Sequence, residues 1–249
     1  MTKNYRKVGI VGMPPLEVIR QLNADNITIH DLDTPMVRAD IELTAPYLPK
    51  VYCAILRTVV LNVLHLQLDA VYIDVGPGKC DCALHVATIL ADMLAIPVLK
   101  TRNEDMKAFG TPICRSKISL VQKLERITEG VKSAEKQEDP PPACIPTAGF
   151  WGVPPRDFSI LELFPDTTHV YGWTRCMENK TPAEHELELH YNPDVPTVFY
   201  AQSFCAKTAL ARHLALKHPQ GLFLDSDVTA GGSAKAKIQA FLELSGVVL

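Results

Sequence analysis

The chain of 249 residues has no Cys-x-x-Cys pair, no His-x-x-x-His pair and no glycine-bearing phosphate loop. The first two absences remove the common spacings of zinc and iron–sulfur ligands. The nearest approach to a phosphate loop runs from Ala201 to Lys207 and Thr208, with alanine at both glycine positions. Converging N–H groups need backbone conformations that alanine disfavours, so ATP hydrolysis is not expected. Concentrated basic charge is also missing. Lys and Arg number 25 against 28 Asp and Glu, a formal net charge of −3. Lys3, Arg6 and Lys7 form only a short group that solvates a terminus, and no nucleic-acid partner is expected.

No apolar run is free of polar interruption. The longest, residues 51–68, carries Arg57, Asn62, His65 and Gln67, which are costly in hydrocarbon, and it is expected to be a buried helix. No membrane partner is anticipated. The opening MTKNYRKVGIVG lacks the apolar core and small-residue end of a secretory signal, so a cytoplasmic protein is expected. The cysteines number seven, an odd count that argues for reduced thiols over a disulfide framework. Buried packing is the ordinary role of such thiols.

What is present is an alternation of short β-branched runs and apolar helical stretches. A strand over 7–11 ends at Gly12, a helix covers 16–22, and a strand over 27–29 runs to Asp31 and Asp33. A buried strand over 70–75, a Gly-Pro-Gly turn, a helix over 83–94 and a strand over 96–99 follow. This order predicts a parallel sheet covered on both faces. Residues 116–138 have the spacing of a charged amphipathic helix that ends at Asp139-Pro140-Pro141-Pro142.

Beyond the prolines the chain begins again. Gly9-Ile10-Val11-Gly12-Met13-Pro14-Pro15 is echoed by Gly149-Phe150-Trp151-Gly152-Val153-Pro154-Pro155. Ile27-Thr28-Ile29 is echoed by Thr168-His169-Val170, and Asp40-Ile41-Glu42-Leu43 by Glu186-Leu187-Glu188-Leu189. The strand and helix of the first half recur at 197–201 and 209–216. His169 and Trp173 are placed in one strand. The expected architecture is therefore α/β, two Rossmann-like halves with mainly parallel sheets related by internal duplication. The halves are 1–138 and 148–249, joined by a Pro-rich linker at 139–147. A cleft between them, at the carboxyl ends of the strands, is the expected ligand site.

Val71-Tyr72-Ile73-Asp74-Val75-Gly76-Pro77-Gly78 is an apolar strand ending in an acid and a Gly-x-Gly turn. It resembles the first motif of class I S-adenosylmethionine-dependent methyltransferases over about ten residues, with Cys80 where a third glycine is usual. The resemblance implies S-adenosylmethionine at Asp74, Gly76, Gly78 and Cys80. It makes the chain an enzyme of small-molecule or cofactor metabolism that transfers a methyl group. Thr174, Arg175 and Gln202, at strand ends of the second half, are the candidate substrate contacts, Arg175 by forking to a carboxylate or phosphate. Gly9 and Gly12 with Asp31 outline a dinucleotide site for NAD.

A different reading rests on thiols. Cys80 and Cys82 follow a strand of the first half and Cys205 the corresponding strand of the second, so duplication brings them toward one cleft. There they serve as zinc or iron–sulfur ligands in a protein of cofactor maturation, or as acid/base groups. In its two α/β halves with one strand-end cysteine each, the chain is similar to the aspartate/glutamate racemase superfamily. Asp81 and Ala206 stand where Asn-Thr or Thr follows those cysteines. A third reading is a non-catalytic binding or assembly protein using the same cleft. The expected partner is a small molecule, with a homo-oligomer allowed.

Overall fold

Short runs that bury both faces pair as parallel strands, and the apolar helices between them cover the sheets. The computed structural model describes residues 5–106, 112–135, 140–182, 185–226 and 231–248. Lys3, Asp139 and the last residues of the expected 116–138 helix lie outside them. The first half contains β1 (Lys7–Val11), α1 (Leu16–Ala24), β2 (Thr28–Asp31), α2 (Ala54–His65), β3 (Ala70–Asp74), α3 (Asp81–Met93), β4 (Val98–Thr101) and α4 (Leu120–Gly130). The second contains β5 (Gly149–Gly152), β6 (His169–Tyr171), α5 (Trp173–Asn179), α6 (His185–Leu189), β7 (Thr197–Gln202), α7 (Lys207–Lys217), β8 (Gly221–Ser226) and α8 (Gly232–Leu244).

Each half builds one four-stranded sheet, ordered β2-β1-β3-β4 and β6-β5-β7-β8, and every pairing is parallel. The strand order is therefore the same in both, as internal duplication requires. β1 and β5, which carry the echoed Gly-x-x-Gly segments, take the same inner place. All six residues of β7 are buried, the pattern of a strand covered from both sides. In α2, Val59, Val60 and Leu61 are inaccessible to solvent, so the apolar stretch is a buried helix.

Two sequence expectations need correction. His169 lies in β6, but the strand ends at Tyr171; Gly172, at φ +73°, turns the chain so that Trp173 opens α5. The charged helix starts late, at Leu120, where the Ser119 hydroxyl accepts the Gln122 N–H at 3.2 Å, and it ends at Gly130.

The halves share a core. Val8 and Ile10 of β1, Leu124 and Ile127 of α4, Phe150 of β5 and Val198 of β7 belong to one buried cluster. From α4 the fully buried Lys123 crosses to the second half, donating to the carbonyls of Asp166, at 2.9 Å, and Thr168. Burial pulls its pKa down to about 8. The segment after Pro140 is pinned as well: Lys117 N–H donates to the Pro142 carbonyl at 2.8 Å and Cys144 N–H to that of Arg115 at 3.0 Å. Among the described residues no helix is long and apolar enough to cross a membrane.

Gly152 of β5 pairs with Tyr200 of β7. Its φ is +153°, and a Cβ there would stand 2.2 Å from the Tyr200 carbonyl oxygen. Gly152→Ala is expected to destabilise the fold by more than about 2 kcal/mol, because backbone cannot yield as a side-chain tip can. A urea midpoint unchanged from wild type would show that the two strands are not held at this distance.

Candidate active site

Parallel strands place their carboxyl ends, and the amino ends of the following helices, on one edge of the sheet. Here those edges meet at a cavity of about 380 Å³. Val11 at the end of β1 and Gly12 after it, Asp74 at the end of β3, Val153 after β5 and Cys205 after β7 all line it. Of the residues singled out from the sequence, Gly12, Asp74, Gly78, Cys80 and Cys205 share this cavity. Gly9, Asp31, Gly76, Cys82, Thr174, Arg175 and Gln202 are not among its lining residues.

Asp74 organises the first wall. One carboxylate oxygen accepts the N–H of Gly76 at 3.1 Å and of Asn103 at 2.9 Å, which fixes the turn after β3. Asn103 passes the link on, its side-chain amide donating to the Lys180 carbonyl of the second half at 3.1 Å. The other Asp74 oxygen lies 3.3 Å from Lys79 Nζ. That ammonium also stands 4.1 Å from the centre of the Trp173 ring. Burial lowers the Lys79 pKa, and the charges of Asp74 and Asp33 oppose the shift. Asp33 accepts the Gly12 N–H at 2.7 Å; burial raises its pKa, against the Gly12 hydrogen bond and the Lys79 charge. The wall thus holds two carboxyl groups around one ammonium.

The nucleotide glycines are filled by the chain itself. A Cβ at Gly9 would meet the Leu32 side chain at 2.5 Å, at Gly12 the Lys79 ammonium at 3.1 Å, and at Gly76 the Asn103 backbone nitrogen at 2.8 Å. Asp31 is buried at a separate cavity of about 270 Å³ that Lys132 and Arg156 also line. Burial, followed by the charge of Asp33, pushes its carboxyl well above the usual range. Thr174 is buried and donates to the Gly152 carbonyl at 2.8 Å. Arg175 pairs with the buried Glu178, and Gln202 donates to the Pro154 carbonyl at 2.8 Å.

The second wall carries the thiols. All seven cysteines are free. Cys53 and Cys80 occupy the N-cap positions of α2 and α3, and Cys205 stands two positions before α7; all three line the cavity. The neighbouring Cys53 thiol, with the Lys207 N–H and the Lys207 charge, draws the Cys205 pKa down to about 7, against burial. The neighbouring Cys205 sulfur and burial push the Cys53 thiol up. Burial raises Cys80, to which the charges of Cys82 and Cys205 add. Cys82 turns to the Tyr52 hydroxyl, whose pKa desolvation and that contact raise to about 12. Lys207 forms an ion pair with Glu188 and lies 4.9 Å from the centre of the same Trp173 ring. Among the described residues no three His, Cys, Asp or Glu side chains are grouped so that they could hold a metal ion.

Cys53, Asp33, Lys79, Lys207 and Trp173 escaped the sequence reading as site residues. The only local signal was their position just beyond strands or just before helices. No protein-family model matches the chain, and no curated protein matches it in sequence.

The pair Cys53–Cys205 makes a chemical forecast. Iodoacetamide is expected to alkylate Cys205 ahead of the other cysteines, with the rate rising through a pH of about 7. Cys53→Ala removes the neighbouring thiol, so the inflection should move upward toward that of an ordinary thiol. Peptide mass spectrometry across a pH series checks this; an inflection that stays in place in the variant would disprove the contact.

Proposed function

We propose that this chain is an enzyme that moves a proton at a carbon atom of a small molecule held between the halves. In this reading the Cys205 thiolate takes the proton and the Cys80 thiol supplies one. The carrying observation is that these two sulfurs line one cavity from the amino ends of α3 and α7, the helices that follow β3 and β7. Their surroundings favour opposite protonation states: the Cys53 thiol and Lys207 draw Cys205 down to about 7, whereas burial keeps Cys80 a thiol. Paired groups with separated pKa values are the arrangement that acid–base catalysis needs at neutral pH.

Removing a proton from carbon leaves negative charge on the neighbouring group, and Lys79 is the ammonium placed to stabilise it. Its lowered pKa and its position between two carboxyls make it a short-range electrostatic partner in a water-poor site. Ile55, Leu56, Val153 and Leu210 give the cavity an apolar wall, which suits a substrate with a hydrocarbon body and one acidic head. The similarity to the aspartate/glutamate racemase superfamily supports the same chemistry. Asp81 and Ala206, standing where that superfamily has Asn-Thr or Thr, point to a different substrate.

The methyl-transfer reading draws less support from the geometry. Its glycine at position 76 abuts Asn103 backbone, and in the NAD outline the Cβ side of Gly12 is taken up by Lys79. Calorimetry with S-adenosylhomocysteine and with NAD is expected to show no saturable binding; a saturable site for either one would return that cofactor to the account.

The direct test uses hydrogen exchange at carbon. Small carboxylic acids with an apolar body and an acidic α-C–H are incubated with the protein in D₂O and followed by NMR. Exchange is expected to rise through a pH of about 7 as Cys205 ionises, and to fall only where Cys80 begins to lose its proton. Cys80→Ser and Cys205→Ser should each slow it by about 10²–10⁴-fold. Exchange that persists in both variants would rule the thiols out as the proton carriers.

A further inference from the structure

The proton-transfer scheme leaves Cys53 unused, although it lines the same cavity as Cys205 and packs with it in one apolar cluster. The two thiols come from different halves. Cys53 stands at the amino end of α2, and Cys205 stands in the turn between β7 and α7. Next to them the Ala54 N–H donates to the Ser203 carbonyl at 3.3 Å, so backbone contact fixes the approach of the two segments. Such an approach is what a disulfide demands, since its geometry tolerates little separation of the two backbones.

We propose that Cys53 and Cys205 form a peroxide-reactive dithiol whose oxidation ties the two halves together and switches the site off. Only the loss of activity rests on the proposed proton-accepting role of Cys205. The chemistry closes with a hydroperoxide as oxidant. The Cys205 thiolate attacks the distal peroxide oxygen, the O–O bond breaks, and the alcohol or water leaves with a proton; Cys205 becomes a sulfenic acid. The Cys53 sulfur then attacks the sulfenic sulfur. Its S–H proton and the sulfenic hydroxyl depart as water, leaving one disulfide and two electrons passed to the peroxide.

Position favours this partner over the other cavity thiol. The segment of Cys53 is bonded to the turn that carries Cys205, and the two cysteines pack in one apolar cluster of which Cys80 is not a member. The thiolate character of Cys205 makes it the attacking member and Cys53 the resolving one. In the oxidised state no thiolate remains at Cys205, and the α2 end is bonded to the β7–α7 turn. A dithiol reductant reverses both.

The experiment exposes the full-length, reduced protein to hydrogen peroxide at neutral pH and maps its peptides by mass spectrometry. The expected product has lost about 2 Da, carries a Cys53–Cys205 cross-linked peptide and returns to the starting mass with dithiothreitol. In Cys53→Ser and in Cys53→Ala, Cys205 should instead gain about 32 Da as the sulfinic acid, because nothing resolves the sulfenate. A link from Cys205 to Cys80, sulfinic acid at Cys205 in the wild type, or no oxidation at Cys205 would each overturn the proposal. The mapping needs no substrate, so it stands or falls separately from the proton-transfer reading.

Discussion

The carboxylate of Asp74 is the constraint on which the cleft depends. One oxygen accepts the two N–H groups that close the turn after β3, and the other faces the Lys79 ammonium. Through Asn103 the same turn is bonded to Lys180, so the cavity edge of the first half is set relative to the second. Without this anion Lys79 would be a buried charge beside an indole with only Asp33 to answer it, a costly state. With it, Lys79 becomes a fixed cation in a largely apolar cavity. The glycines at 12 and 76 then follow as consequences: each leaves room for a neighbour that this network brings in.

The thiols depend on the same design repeated. Parallel strands put helix amino ends at the cavity in both halves, and cysteines occupy three such places, at positions 53, 80 and 205. Identical chemistry would make them equivalent, but their neighbours differ. Cys80 and Cys205 are both desolvated and both meet backbone N–H groups, but at Cys205 the Cys53 thiol and Lys207 outweigh burial, whereas at Cys80 burial and the neighbouring sulfurs outweigh the N–H groups of Ala83 and Cys82. Duplication thus supplies the symmetry of the site, and these unlike neighbours give Cys205 and Cys80 the opposite pKa shifts on which the proposed base and acid roles rest.

The sequence made the architecture legible because its punctuation is physical. The repeated Gly-x-x-Gly-x-Pro-Pro segments end β1 and β5, strands with equivalent places in sheets of the same order. The meeting of Cys80 with Cys205 followed from that duplication. Other site residues were hidden for identifiable reasons. Lys79 looks like a solvated turn residue until Trp173, nearly a hundred positions away, covers it. Cys53 looks like the first packed residue of an apolar helix, and only the β7–α7 turn brings it to Cys205. Asp31 and Asp33 are two residues apart, and the tertiary path of the chain sends the second, not the first, to the cleft. Trp173 has the spacing of a strand residue, but Gly172, at positive φ, ends β6 before it and turns the chain into α5.

The central claim is that two thiols face one carbon from opposite sides of the cleft. It is tested most directly by stereochemistry in D₂O. A single enantiomer of a turned-over substrate is converted to low extent, and deuterium is measured separately in the inverted product and in the remaining starting material. Two carriers predict deuterium in the inverted product, delivered from Cys80, and little in the recovered substrate. Deuterium at equal levels in both would mean that one group serves both faces, and would contradict the account.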